Sequence, residues 1–152
     1  MNRYEHTQPG TLIRGLMLLS LTLSVVPVAM AVFSSDAPWW LLLIPTVVFP
    51  GLLVLFHSLT VTVTASEVTA AFGIGVVRKT VLLEDIESAE AVQSRWYYGW
   101  GIRKVSRGWL YNVSGFDAVS LTMKNGRVVW LGTDDQEQLL AAIQTALSEQ
   151  HD

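Results

Sequence analysis

Val119-Ser120-Leu121-Thr122-Met123-Lys124-Asn125-Gly126-Arg127-Val128-Val129-Trp130-Leu131 is the stretch that decides the fold class of this 152-residue chain. Two β-prone runs flank Asn125-Gly126, a dipeptide suited to both left-handed positions of a type I′ turn, so the stretch predicts a two-residue hairpin. In that register Met123 faces Val128 and Leu121 faces Trp130, which gives one apolar face. Gly132 ends the second strand. Thr133 then stands three residues before Gln136, the spacing of a capping box, with Asp134 and Asp135 placed to favour the positive end of a helix. Leu139, Leu140, Ile143, Ala146 and Leu147 form one stripe of that helix.

Toward the N-terminus the same alternation recurs. Leu59, Val61 and Val63 interleave with Thr60, Thr62 and Thr64, which predicts a strand with one apolar face. Ala65-Ser66-Glu67 turns the chain into Val68, Ala70 and Phe72. Gly73-Ile74-Gly75 breaks that strand, and Val76 to Leu82 begins a third. Ile86 to Val92 reads as a weaker fourth strand, although its Glu and Ala residues also suit a helix. Antiparallel strands followed by one C-terminal amphipathic helix predict an α+β domain with the helix packed on a sheet.

The first third of the chain is different in kind. From Met1 to Phe56 the charged residues are Arg3, Glu5, Arg14 and Asp36 alone. Leu12 to Phe33 is apolar except for Arg14, and would span roughly 33 Å as a helix, against ~30 Å of hydrocarbon. Trp39 to Phe56 is a second apolar run, opened by two tryptophans suited to a membrane interface. Its Pro45 and Pro50 are tolerated in membrane helices. Ser34-Ser35-Asp36-Ala37-Pro38 reads as the turn between them. The expected organisation is therefore an N-terminal tail (1–11), a two-helix transmembrane hairpin (12–56) and a domain (57–152). A signal peptide with Ala29-Met30-Ala31 as cleavage site is the rival reading. Against it, the apolar run exceeds the usual ~7–15 residues and a second run follows at once. Arg3 and Arg14 precede the first helix and the turn holds no Lys or Arg, which predicts an inner-membrane protein with its domain in the cytoplasm.

Residues from His57 onward carry eight Lys or Arg and eleven Asp or Glu, a net charge of −3 with no polybasic run. General attraction to nucleic acid is unsupported. There is no cysteine, which excludes disulfides and thiolate chemistry. His6, His57 and His151 are far apart, and no spacing suggests a metal site. Glu84, Asp85, Glu87 and Glu90 read as a solvated acidic edge. Gly73-Ile74-Gly75 lacks the third glycine of a dinucleotide loop. Ser114 lacks a nucleophile elbow. Asn112-Val113-Ser114 is formally a glycosylation sequon. No catalytic residue, cofactor or metal is expected.

The stretch Arg95-Trp96-Tyr97-Tyr98-Gly99-Trp100-Gly101-Ile102-Arg103, then Gly108-Trp109-Leu110-Tyr111-Asn112-Val113-Ser114-Gly115, then Gly132-Thr133-Asp134-Asp135 before the last helix, resembles the bacterial PH-domain proteins. The element order resembles the pleckstrin-homology fold. That resemblance covers essentially the whole chain and implies a membrane-tethered binding or scaffolding module, not an enzyme. Phosphoinositide-binding PH domains carry basic residues around their first hairpin loop; Thr64-Ala65-Ser66-Glu67 has none, so inositol-phosphate recognition is not expected.

The candidate contact residues are Arg95, Trp96, Tyr97, Tyr98, Trp100, Arg103, Lys104, Arg107, Trp109 and Tyr111. Aromatics beside Arg form interaction hot spots. They also suit lipid headgroups, and they can simply fill a core. The expected partner is a protein or a second copy of the chain, with the bilayer surface as the alternative.

Overall fold

The computed structural model describes residues 2–34 and 38–151, the side chain of His151 excepted. The centre of the expected turn between the apolar runs, residues 35–37, lies outside the described residues. The first apolar run is helix α1, Thr11–Ser34. The second begins as a 3-10 turn, Trp39–Leu42, and continues as helix α2, Leu43–Phe56. Pro45 falls in the first turn of α2, where a missing N–H leaves no intrahelical bond unmade. Both segments are long and apolar enough to cross a membrane. No described residue of α1 is buried, and in α2 only Pro45 is, so the rest of the chain does not cover them.

Strands flank this pair of helices. Residues Tyr4–Pro9, read from sequence as tail, form strand β1. It pairs antiparallel with β2, Ser58–Val63, from Tyr4 opposite Val63 to Pro9 opposite Ser58. An outer strand tolerates the polar run and the terminal proline, because neither needs a second sheet neighbour. Strands β3, Glu67–Phe72, and β4, Val77–Leu82, complete a four-stranded sheet in the order β1-β2-β3-β4. The helices therefore leave from one end of this sheet, between Pro9 and Ser58. That end is called the root.

A 3-10 turn, Leu83–Asp85, leads into strand β5, Ile86–Gln93. Beyond the strands expected from sequence, the structure has β6, Gly101–Val105, and β7, Gly108–Asn112. Strands β8, Asp117–Met123, and β9, Val128–Gly132, follow. The second sheet runs β5-β8-β9-β7-β6. Its β7 and β9 pair in parallel, a departure from the expected all-antiparallel arrangement. Residues of both sheets, among them Leu59, Phe72, Leu121 and Leu131, share one buried cluster with Leu139 and Ile143 of helix α3, Gln136–His151.

The β8–β9 hairpin exists, but one residue out of the expected register. Leu121 stands opposite Val129, and Ser120 opposite Trp130. Met123 N–H donates to the Arg127 carbonyl, and Gly126 N–H to the Met123 carbonyl, each at 2.8 Å. The loop is thus Lys124-Asn125-Gly126, with Gly126 alone left-handed at φ 77° and no described non-glycine residue at positive φ. A type I′ turn needs two left-handed residues, and Asn125 is not one. The slip exchanges faces, so Val129 and Leu131 enter the core in place of Val128 and Trp130.

The capping box is also not formed. Thr133 Oγ1 accepts from Asp135 N–H at 3.0 Å, and the Gln136 amide instead donates to the Val92 and Ala118 carbonyls at 2.9 and 2.7 Å. Asp135 caps the helix, its carbonyl accepting from Leu139 N–H.

Candidate binding surface

The residues grouped by sequence between Arg95 and Tyr111 divide between two places. β5 and β6 are the outer strands of the five-stranded sheet. Residues 94–100 must therefore cross its whole end, four strand spacings or roughly 19 Å. They do so through a 3-10 turn, Trp96–Tyr98, and the left-handed Gly99 and Gly101.

This crossing runs at the root. Trp100 Nε1 donates to the Gly115 carbonyl at 3.2 Å, and Ser94 N–H to the Phe116 carbonyl at 2.6 Å. The adjoining Ser114 accepts from the Gln8 amide at 2.9 Å and meets the Thr11 hydroxyl, at the first residue of α1, at 3.3 Å. Trp96 is 78% exposed there, and Tyr97 and Phe116 are exposed beside it. Tyr98 instead folds onto the outer face of the sheet, its ring 6.1 Å from Trp130, where it fills a second apolar cluster. Arg95 donates to the Tyr97 hydroxyl at 2.9 Å, and Arg103 Nε to the Trp100 carbonyl at 3.2 Å. Both cations brace the crossing.

On the other side of the helix roots, the β3–β4 turn presents Ile74 and Val76, 65% and 69% exposed. Gly73 holds that turn against the end of α2. Its N–H donates to the Ser58 carbonyl at 2.9 Å, its φ is 49°, and a Cβ there would strike the Val54 carbonyl.

Lys104, Arg107, Trp109 and Tyr111 lie elsewhere, on the wall of an 870 Å³ cleft. Opposite them is strand β4, and the β8–β9 loop contributes Arg127. The cleft runs along the strands from Tyr111 and Lys79, near the root, to the β6–β7 turn at Ser106-Arg107, which is five residues along from Gly101 and Asn112 and so roughly 15 Å from the root. Lys79 and Arg127 also line it, and sequence reasoning singled out neither. Lys79 had a signal: it occupies the inward phase of Val77-Lys79-Val81, opposite the buried Ala70. Arg127 had none, because only the fold brings the hairpin loop to β4. Among the described residues Arg3 pairs with Glu149, and His6 Nε2 lies 2.6 Å from an Asp134 carboxylate oxygen; the four cleft cations enter neither contact. Asp85 is the acid on the cleft wall. Tyr111 packs on Phe72 with ring centroids 6.3 Å apart, and burial pushes its phenol pKa up.

Asn112, the first residue of the sequon, is fully buried. It donates to the Gly115 carbonyl and accepts from Ser114 N–H, each at 3.1 Å, which makes it the organiser of the β7–β8 loop. His57 ends α2 and His6 lies on β1, while the side chain of His151 is outside the described residues. Among the described residues no three His, Asp or Glu side chains converge as metal ligands. No model of a known protein family matches the chain, and no curated protein is significantly similar to it.

Proposed function

We propose that the chain is a non-enzymatic binding or scaffolding module of PH-like architecture, a barrel or sandwich anchored in the inner membrane by α1 and α2. Its β domain lies in the cytoplasm and binds a protein through the cleft. The single observation that carries this reading is the separation of the two surfaces. Trp96, Tyr97 and Phe116 are exposed at the helix root, whereas Arg107 stands roughly 15 Å away at the far end of a cleft that Lys79, Lys104 and Arg127 also line. A bilayer around the helices meets the first surface, and water the second. Pairing of β1 with β2 across the helix pair supports an even number of crossings, and Arg3 and Arg14 support the cytoplasmic side.

Cations without internal partners favour an acidic partner, whose carboxylates form charge-assisted hydrogen bonds. Crosslinked recovery from native membranes tests this, comparing the wild type with Lys104→Glu/Arg107→Glu. A protein partner lost only from the variant is the expected result, and identical recovery would overturn it.

A second reading attaches to the root alone. Trp96 and Phe116 on one side, and Ile74 and Val76 on the other, suit a rim seated in the interfacial layer of the bilayer. The β2–β3 loop, without basic residues, gives no support to inositol-phosphate recognition.

A further inference from the structure

We propose that the cleft receives strand β5 of a second copy of this chain, so that copies associate side by side in the membrane plane; this rests on the reading of a membrane-anchored protein-binding module. β4 and β5 are outer strands of different sheets, each with one unpaired edge. Four consecutive residues of β4, from Lys79 to Leu82, line the cleft. Side chains alternate between faces along a strand, so an unbroken run of lining residues means that the open backbone edge itself borders the cavity.

The charges are complementary. Lys79 faces inward on β4, and an inward charge repels a neutral strand seeking that edge. A strand bearing carboxylates answers it. β5 is eight residues long and carries exposed Glu87 and Glu90, preceded by the exposed Glu84. These acids, read from sequence as a solvated edge, have no other role in the fold.

Direction and height agree as well. β4 runs from the root at Val77 to the far end at Leu82, and β5 returns from Ile86 to the root at Gln93. Membrane-anchored copies are related by rotation about the membrane normal, which preserves both directions. β4 of one copy and β5 of the next therefore meet antiparallel at a common height. The contact joins two different surfaces, so it propagates into rings or rows instead of stopping at a pair.

The absence of cysteine makes the test clean. Two tagged full-length copies, Thr80→Cys on β4 and Ser88→Cys on β5, are co-expressed, and isolated membranes are treated with a short bis-maleimide. The mixed pair is expected to crosslink and neither variant with itself. Lys104→Glu/Arg107→Glu in the Thr80→Cys copy is expected to abolish the product, and Glu87→Lys/Glu90→Lys in the other copy to restore it. Absence of the mixed product overturns self-assembly, as does equal crosslinking in all combinations. If the cleft variant still loses a different protein in the recovery experiment, the binding-module reading survives that failure. If nothing is lost there, both fall.

Discussion

The Gly10 N–H donates to the His57 carbonyl at 2.8 Å, tying the start of α1 to the residue that ends α2. Arg14 Nε reaches the same oxygen at 3.1 Å, setting a cation at the negative end of α2. Two helices with no covering domain are thereby held in fixed relation to the β1–β2 pair. Arg14, the one charge in the first apolar run, thus has a structural partner.

Arg14→Gln is expected to remove the charge from this helix end and cost about 0.5–2 kcal/mol. Gly10→Val is expected to do more harm, because a Cβ at Gly10 would stand 2.9 Å from the His57 oxygen and 2.8 Å from Ile13 Cγ2. Thermal unfolding of the full chain in detergent checks both, and an unaltered midpoint for Gly10→Val would count against the tie.

Gly132→Ala probes the β7–β8 loop. A methyl group at Gly132 would strike the Asn112 side-chain oxygen, displacing the buried amide that holds Ser114 and Gly115. The expected loss is about 1–3 kcal/mol, the cost of leaving a buried polar group unsatisfied. Denaturant unfolding measures it. The same substitution at the exposed, open Gly126, which unlike Gly132 is left-handed, should cost only the backbone term of about 1–2 kcal/mol.

Much of this fold was legible because burial there is one-sided. The Thr-Val alternation of β2 and the stripe of α3 each record a single apolar face, and both apolar runs announced their ends within a residue or two. β6 and β7 were not legible because both faces of their sheet are apolar: Tyr111 packs toward the main core, whereas Val105 and Leu110 belong to the outer cluster. Period-two contrast vanishes under such burial. β1 was missed because its register comes from β2, about fifty residues away, and the hairpin slipped because Asn125 declines the left-handed conformation. The candidate contacts were named as one group by proximity in sequence. The sheet end then separates Trp96 and Tyr97 from Arg107, and the cleft adds Lys79 and Arg127 from other strands.

Tyr4 supplies a prediction in pH. Burial first, and then the Asp135 carboxylate, push its phenol pKa up to about 12, with the hydroxyl 3.3 Å from Asp135. A raised folded pKa means that the native state holds this proton more tightly than the unfolded chain does. The contribution is fully present below the unfolded value of about 10 and is lost as pH rises through about 12. Tyr4→Phe should flatten the fall in stability across that window. An unchanged profile would contradict the β1–α3 contact.

Arg3 and Glu149 carry the opposite sign. Their hydrogen bond holds the Glu149 carboxyl below its ordinary value, so its contribution is present at neutral pH and is lost as pH falls through the lowered folded value. Both groups are exposed, and salt should weaken the effect. Glu149→Gln is expected to change the acid limb of the stability profile while leaving the alkaline limb intact.

The central claim is that the membrane meets the root and water meets the cleft. Nitroxide labels on single cysteines at Ile74, Trp96 and Arg107, in the full chain reconstituted into bilayers, test it through accessibility to oxygen and to a water-soluble relaxant. The account predicts lipid-phase character at 74 and 96 and aqueous character at 107. Equal aqueous exposure at all three positions, or lipid contact at 107, would contradict it.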